Sequence, residues 1–322
     1  MANNIMIALD CGKANTKVAI SNKDNSEVTL KSYETKVKEV DLDKETDANL
    51  KTIIYENRKF EIGSPDEISN VNSNSKLDDI HKTMALFSIA QNVNDKDNVL
   101  VTITCPYDTG MNAKMRNEFA EKILPKGKVD VVLNGKNKSF TISNIIVVPE
   151  GIIAQRYLKP NTGHDIGIID IGGLNSTYVY FDKKGFRHDE MSNFAREGLV
   201  KLASKIKLDL GSICDGEFRY DEIIEGIEKG AVYGYEEETA SKIKAGLDKI
   251  LDNIEKDCQS KGWKFRTCDV YFIGGGAISL KDRIKAKFPN AIIPEKPEFI
   301  NVLGAMTITR MSNGLSSSFS IA

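Results

Sequence analysis

The fold is indicated most clearly by two stretches of the chain, MIALDCGKANTKVAI (Met6–Ile20) and IGIIDIGGLNSTYVY (Ile166–Tyr180). Each is an apolar run, a glycine-bearing bend and a second apolar run, which is typical of a β-hairpin. Aligned residue by residue, they match at an acid, a glycine, an asparagine and a hydroxyl residue: Asp10 with Asp170, Gly12 with Gly172, Asn15 with Asn175, and Thr16 with Ser176. Two unrelated turns seldom agree at so many positions. The repeat therefore predicts one site built from two related halves, which we call the first bend (10–15) and the second bend (170–175).

The composition indicates a globular protein with more than one core. A chain of 322 residues is long for a single core, so two lobes are expected. The net charge of −2 argues against direct nucleic-acid binding through a basic surface. The five cysteines include no CxxC pair, which argues against a metal cluster and favours reduced thiols in a cytoplasmic protein. The sequence predicts no secretion signal and no membrane span.

The order of predicted elements indicates an α/β fold with an internal duplication. We place the boundary between the lobes near residue 160. The first lobe, 1–160, carries a small polar insert at about 30–76, and the second lobe, 161–322, carries a helical insert at about 209–260. Within the second lobe, NFAREGLVKLASKIK (Asn193–Lys207) is predicted to be a helix capped by Asn193.

The paired bends have the chemistry of a phosphate site. Backbone N–H groups at such a bend can hold phosphate oxygens, and glycine lets the backbone come close. Two acids beside a polyphosphate would repel it unless Mg²⁺ lies between them, and carboxylates can hold the waters of that ion. Asp10 and Asp170 are the candidates for this role, and Lys17 adds a positive charge for phosphate. The simpler alternative is that Asp and Gly are ordinary turn residues and that Lys17 is a surface charge.

A third candidate is the triple glycine in FIGGGAIS, formed by Gly274, Gly275 and Gly276. It follows a predicted buried strand and precedes a helix, so a charged or flat group could approach the helix N-terminus. The pattern is neither a GxGxxG fingerprint nor a P-loop, which excludes those two nucleotide-binding geometries. A tight strand-to-helix turn explains the three glycines equally well.

These motifs, taken in order, resemble those of the actin, heat-shock chaperone and sugar-kinase ATPase superfamily. IALDCGKANTKVAI and IIDIGGLNSTYV are similar to its two phosphate loops, VVPEGIIA (Val147–Ala154) and FINVLGAMTIT (Phe299–Thr309) to its connecting helices, and VYFIGGGAIS to its adenosine motif. The D-x-G-x-x-N-x-K pattern and the short polar insert look most similar to plasmid-segregating bacterial actins of the ParM/StbA type. The resemblance implies duplicated ribonuclease-H-like lobes around a nucleotide cleft.

The resemblance also implies roles for individual residues. Glu150 would orient the attacking water, and Asp10 and Asp170 would hold hydrated Mg²⁺, so that Glu150 and Asp170 are the expected catalytic residues. The expected nucleotide-binding residues are Asp10, Gly12, Lys13, Asn15, Lys17, Gly172, Gly173, Asn175, Gly274, Gly275 and Gly276. Without the resemblance, Glu150 is an acid favoured at a helix N-terminus. The chain departs from the family pattern at Lys13, where Ser or Thr is usual, and at Leu174 and Thr177.

The function implied by the resemblance is that of a filament-forming ATPase in plasmid segregation. Its expected ligands are ATP, with GTP left open, and Mg²⁺. Its expected partners are further copies of itself and a DNA-binding adaptor protein, with no direct contact to nucleic acid or membrane. The alternative is a sugar-type kinase of the same fold, whose general base would be Asp108, although a loop Asp that caps the following helix is the simpler interpretation.

Overall fold

The computed structural model describes residues 3–22, 26–47, 49–64, 76–158, 163–195, 198–212 and 218–322. The chain divides into two compact units, one of Met1–Leu158 with Asn301–Ala322 and one of Lys159–Ile300. We call them the first and the second lobe. The predicted boundary near residue 160 and the end of the predicted insert (65–75) lie outside the described residues.

The first lobe is built on a mixed sheet. Its elements up to residue 158 are β1 (Asn4–Cys11), β2 (Asn15–Asn22), β3 (Glu27–Glu34), β4 (Val37–Val40), β5 (Lys51–Tyr55), β6 (Arg58–Ile62), α1 (Asp79–Ala90), β7 (Asn98–Cys105), α2 (Tyr107–Met111), α3 (Ala113–Ile123), β8 (Gly127–Leu133), β9 (Lys136–Pro149) and α4 (Ala154–Leu158). The strand order is β3-β2-β1-β7-β9, and β8, β5, β6 and β4 extend the sheet beyond β9. The predicted accessory insert therefore supplies β4, β5 and β6, which add to the main sheet through β8.

The sequence of β1 explains its central position. Ile5–Leu9 is an unbroken apolar run whose side chains are all at most 6% exposed. Such a run needs cover on both faces, which suits a strand inside a sheet. β1 pairs antiparallel with β2 and parallel with β7, and α1 packs against it with Met84 and Phe87 fully buried.

The second lobe repeats this arrangement with fewer strands. Its elements are β10 (Asp165–Ile171), β11 (Ser176–Phe181), β12 (Asn193–Ala195), α5 (Leu199–Gly211), α6 (Tyr220–Lys229), α7 (Glu236–Ser260), β13 (Cys268–Ile273), α8 (Gly275–Ser279), α9 (Lys281–Lys287) and β14 (Ala291–Ile292). The strand order β12-β11-β10-β13-β14 is that of β3-β2-β1-β7-β9 in the first lobe. The directions also match, because β10 pairs antiparallel with β11 and parallel with β13. The predicted α/β duplication is confirmed.

The C-terminal segment belongs to the first lobe, which corrects the prediction that the second lobe extends to residue 322. It consists of α10 (Ile300–Ser312) and β15 (Ser320–Ile321), which pairs parallel with the edge strand β3. Gly304 lets α10 lie against the backbone of Ile153, since an added Cβ would be 2.2 Å from its carbonyl oxygen. Thr309 donates to Thr102 Oγ1 at 2.7 Å, and the buried Arg310 donates to Ser21 Oγ at 2.9 Å. Contacts of this kind cannot be inferred from helical periodicity.

The prediction that Asn193 caps a helix is wrong. Asn193 does not cap a helix, because residues 193–195 form β12, which pairs with β11, and α5 begins only at Leu199. The pairing of Tyr178 with Asn193 explains the difference, because residues 193–195 are extended and belong to the sheet, so they cannot form the first turn of a helix.

Other sequence expectations concern cysteines and membrane helices. The described cysteines, Cys11, Cys105, Cys258 and Cys268, are free and buried, and Cys214 lies outside the described residues. Among the helices that the structure describes, none combines the length and the apolar character that crossing a bilayer requires.

Candidate functional site

The first bend is closed by its own backbone. The amide of Gly12 donates to the carbonyl of Asn15 at 3.1 Å, and Thr35 Oγ1 donates to the carbonyl of Gly12 at 2.8 Å. A side chain at position 12 would meet the Asn15 carbonyl oxygen at 2.7 Å and the ammonium group of Lys17 at 3.1 Å. Gly12 is thus required by the tightness of the bend, and the ammonium group of Lys17 lies beside it.

The second bend has the same backbone arrangement. The amide of Gly172 donates to the carbonyl of Asn175 at 2.9 Å, and a Cβ on Gly172 would be 2.9 Å from that oxygen. In both hairpins the acid is in the second-last residue pair before the turn, with Asp10 opposite Lys17 and Asp170 opposite Thr177. The repeat in the sequence therefore corresponds to a repeat in hydrogen bonding and register.

Asp10 belongs to a buried polar cluster at the ends of β1, β7 and β9. Thr104 Oγ1 lies 2.8 Å from Asp10 Oδ1 and 3.3 Å from Glu150 Oε1. The ammonium group of Lys76 contacts Glu150 Oε1 directly and lies 3.6 Å from Asp10 Oδ1. The first lobe thus brings together two predicted site residues, Asp10 and Glu150, and adds Thr104 and Lys76.

The two acids of this cluster have opposite pKa shifts. Burial opposes ionisation of Asp10, but the ammonium groups of Lys76 and Lys17 and the Thr104 hydroxyl outweigh it and hold its pKa below the ordinary value. The pKa of Glu150 is raised, first by burial and then by repulsion from Asp10, and the attraction of Lys76 offsets these effects only in part. Burial would lower the pKa of Lys76, yet Glu150 and Asp10 raise it, so that Lys76 is a fixed positive charge. Two neighbouring acids whose pKa values are driven apart are typical of catalytic sites.

A second set of charges joins the first bend to the start of α1. Lys13 Nζ lies 3.6 Å from Asp78 Oδ2. Asp78 is the N-cap of α1 and accepts from the amide of His81 at 3.0 Å, and its carboxylate also contacts the His81 ring. Burial raises the pKa of Asp78, but the bonds from His81 and the charge of Lys13 outweigh it and lower the pKa. Lys13, which departs from the family pattern, therefore has a partner that anchors the bend to a helix.

The second lobe brings Asp170 and the triple glycine together. Asp170 is opposite Ile273 in the β10–β13 pair, so Gly274 follows directly beside it. A Cβ on Gly274 would be 2.4 Å from Asp170 Oδ1, and its φ of +84° is one that glycine adopts most readily. Gly276 packs equally closely on Ile171. Gly173 accepts from the amide of Val200 at 2.8 Å, which fixes the start of α5 against the second bend.

The polar groups present fit a hydrated magnesium nucleotide better than a metal held by the protein alone. Among the described residues, no group of three or more His, Cys, Asp or Glu side chains could hold a metal ion. Mg²⁺ commonly keeps several waters and takes one or two carboxylates together with phosphate oxygens. In the second bend, the side-chain oxygen of Asn175 is buried without a hydrogen-bond partner among the described residues. Such an orphaned acceptor suits a metal-bound water or a hydroxyl group.

Comparisons with known proteins bear on the fold. Residues 8–152, which include the first bend and Glu150, match the family described as "Actin like proteins N terminal domain". No curated protein matches the chain. Solved structures do match: the Alp12 filament has a TM-score of 0.70 at 23% identity and covers 97% of this chain and 100% of its own. The 15-stranded ParM filament from Clostridium botulinum has a TM-score of 0.76 at 16% identity, covering 96% and 99%.

The chain has the actin-like fold. A third solved structure, an archaeal actin homologue in complex with ADP, has a TM-score of 0.72 at 14% identity and covers 95% of this chain and 99% of its own. The predicted fold class, an actin-like fold, is therefore confirmed. In this actin-like chain, the roles expected for individual site residues remain predictions.

Lys76 and Thr104 are the site residues that sequence reasoning missed. Thr104 lies in VLVTITC, which predicts only a buried strand, although a hydroxyl residue near the end of such a strand is a signal that could have been used. Lys76 follows a polar stretch, and no local pattern separates it from a solvated lysine. Asp108, proposed as a kinase base, lies in the first turn of α2, where its carboxylate accepts from the amide of Thr109 at 2.8 Å.

Proposed function

We propose that the chain is a nucleotide-dependent, filament-forming ATPase that acts in DNA segregation. The observation that carries this proposal is the duplicated acid-bearing bend within an actin-like fold. Similarity over nearly the whole chain to the Alp12 filament and to a ParM filament supports assembly with further copies of itself. Similarity to an actin homologue solved with ADP supports a nucleotide ligand.

The described side chains of the first lobe suit phosphoryl transfer, which depends mainly on positioning and charge stabilisation. Magnesium, held through water by Asp10 and Asp170, would supply charge neutralisation for the phosphate groups. Glu150 would hold the attacking water, and its raised pKa matches a group that accepts a proton. Thr104 fixes the neighbouring acid Asp10, and Lys17 places a positive charge beside the first bend.

Assembly follows from head-to-tail contacts between copies, because such contacts give open filaments when they do not close into a ring. The nucleotide would control assembly through its different affinity for free and assembled subunits. Hydrolysis would then set the lifetime of the filament. A DNA-binding adaptor as partner, a cytoplasmic location and the preference for ATP over GTP remain predictions of the resemblance.

The test is assembly of the purified protein with Mg-ATP, Mg-GTP, Mg-ADP and ATP with EDTA. We expect filaments, detected by electron microscopy and by pelleting, when a nucleoside triphosphate is present with magnesium, and none with EDTA. Phosphate release should precede disassembly. A monomer in all four conditions that releases ADP only when a sugar is added, with the phosphoryl group transferred to the sugar, would overturn the proposal and favour a kinase. The present structure gives that alternative no support, because the carboxylate of Asp108 is used by its own helix.

A further inference from the structure

Lys76 occupies a position between the two acids of the first lobe. Its ammonium group contacts Glu150 and lies 3.6 Å from Asp10, and its side chain is 11% exposed. The side chains of Asp10 and Glu150 are 9% and 18% exposed. A lysine this buried is uncommon unless its charge is paired, and here two carboxylates pair it.

The ammonium group of Lys76 supplies a positive charge and donors that the Thr104 hydroxyl cannot supply. The Thr104 hydroxyl lies near both acids, at 2.8 Å from Asp10 and 3.3 Å from Glu150, but it has one hydrogen and can donate to only one of them at a time. Lysine has three hydrogens to donate and can serve both acids together. Removing one partner from a buried ion pair leaves an uncompensated charge, which is strongly destabilising.

Lys76 comes shortly before the start of α1, and its side chain is long. Two residues later, Asp78 caps α1, and Lys82 closes the first turn by donating its amide to the Asp78 carbonyl at 3.1 Å. Leu77 packs on the hydrophobic core of the first lobe. A lysine side chain is a compact charge on a flexible four-carbon stem. The ammonium group can therefore leave the two acids by rotation of its own stem, and α1, which begins only at Asp79, need not change.

We propose that Lys76 is an internal counter-ion that competes with a divalent cation for Asp10 and Glu150. The inference rests on the proposed nucleotide site, in which Asp10 holds hydrated magnesium and Glu150 holds water. While Lys76 contacts both acids, it satisfies their charge and keeps Glu150 from the water. Loading of the site then requires the ammonium group to withdraw, so Lys76 is a positioning residue that sets the cation requirement and releases Glu150 for its role.

The test uses Mn²⁺ alone as the probe, with the full chain and no nucleotide. We expect Lys76→Met to lower the apparent Tm by roughly 5–10 °C, because two buried carboxylates lose their counter-ion. We also expect Mn²⁺ to restore most of that loss, and to bind this variant at least about tenfold more tightly than the wild type by electron paramagnetic resonance. Lys114→Met, which removes the same charge from an exposed position on α3, should leave the Tm and the Mn²⁺ affinity unchanged. Equal Mn²⁺ affinity in Lys76→Met and the wild type would overturn the inference.

A second variant keeps the test decisive if Lys76→Met folds poorly. Lys76→Met combined with Glu150→Gln removes one negative charge together with the positive one, and we expect its Tm to return to within a few degrees of the wild type. A double variant no more stable than Lys76→Met would mean that Lys76 acts through packing, which contradicts the proposal. Binding of Mg-ATP to the wild type is measured separately with a fluorescent analogue. Its absence would count against the proposed function, whereas the Mn²⁺ result bears on Lys76 alone.

Discussion

The two bends share a backbone but differ in what surrounds their acids. In each, a glycine amide donates to the carbonyl of the asparagine three residues later, at 3.1 Å in the first bend and 2.9 Å in the second. Beside Asp10 the neighbouring parallel strand places the Thr104 hydroxyl, and the cluster adds Lys76 and Lys17. Beside Asp170 the corresponding strand places Ile273 and then Gly274.

The difference teaches that duplication has kept the geometry of the bends while their chemistry has diverged. Among the contacts that the structure describes, charge and hydrogen bonding stand out beside Asp10, and close packing of the Gly274 backbone stands out beside Asp170. Substitutions that change charge should therefore act mainly at the first, and substitutions that add volume mainly at the second.

The largest effect is expected when volume is added beside the second bend. Gly274→Ala should lower the free energy of unfolding by about 3 kcal/mol, because residue 274 has a positive φ and its Cβ would be 2.4 Å from Asp170 Oδ1. Urea denaturation measures the change. Gly275→Ala is the matched control, since an added Cβ there has nothing within 4 Å, and it should change stability by less than about 1 kcal/mol. Equal effects of the two substitutions would show that close packing at residue 274 does not determine the loss of stability.

The next effect separates the roles of the acids. Glu150→Gln should slow phosphate release by about 100-fold and prolong filaments while leaving nucleotide affinity nearly unchanged, because the variant cannot accept a proton. Asp170→Asn should instead weaken Mg-ATP binding by about tenfold, because the second bend loses the charge that we propose helps to hold hydrated magnesium. Single-turnover hydrolysis and equilibrium binding distinguish the two outcomes. If Glu150→Gln hydrolyses ATP at the wild-type rate, Glu150 has no part in the reaction.

A moderate effect is expected from the Thr104 hydroxyl, which lies beside the acid of the first bend. Thr104→Val should cost about 2 kcal/mol of stability, since it keeps the shape of a fully buried side chain and removes a hydrogen bond to an ionised acid. Thr104→Ser keeps the hydroxyl and should recover most of the hydrogen-bond contribution. Denaturant midpoints of the three proteins provide the measurement, and a Thr104→Val variant as stable as the wild type would show that the bond contributes nothing.

The smallest effect concerns acid sensitivity behind the first bend. Burial holds the pKa of His81 below its ordinary 6.5, despite the contact with Asp78. Below pH 6.5 the unfolded chain takes up a proton that the folded chain does not, so stability falls with decreasing pH, by at most about 1.4 kcal/mol per pH unit. His81→Gln should flatten the change in urea midpoint between about pH 7 and 5. The exposed His164→Gln in the second lobe is the control, and parallel curves for wild type and His81→Gln would contradict the expectation.

The sequence predicts the features of the fold that depend on local pattern. Apolar runs around Asp10 and Asp170 predict the hairpins, and the triple glycine predicts the turn from β13 to α8, because strand periodicity and glycine geometry are encoded over a few residues. The return of α10 to the first lobe depends on contacts such as that of Gly304 with Ile153, which are about 150 residues apart in the chain. Periodicity carries no information about such pairs.

The candidate site is predicted only in part for the same reason. Asp10, Glu150 and Lys17 carry motif signals, and the structure places them in or beside the first bend. Lys76 is recognised only when the fold brings it to Glu150 from 74 residues away. The orphaned oxygen of Asn175 likewise depends on what surrounds it in three dimensions.

The pairing of β15 with β3 has a consequence for how the chain is made. The ribosome must synthesise the whole of Lys159–Ile300 after the first lobe's main strands before it reaches α10 and β15. At typical translation rates this interval lasts on the order of ten seconds. During it, the β3 edge stays open, and an open strand edge is a template for pairing with another chain. Until β15 is made, this edge is a point at which nascent chains of the same protein on one messenger can pair with each other.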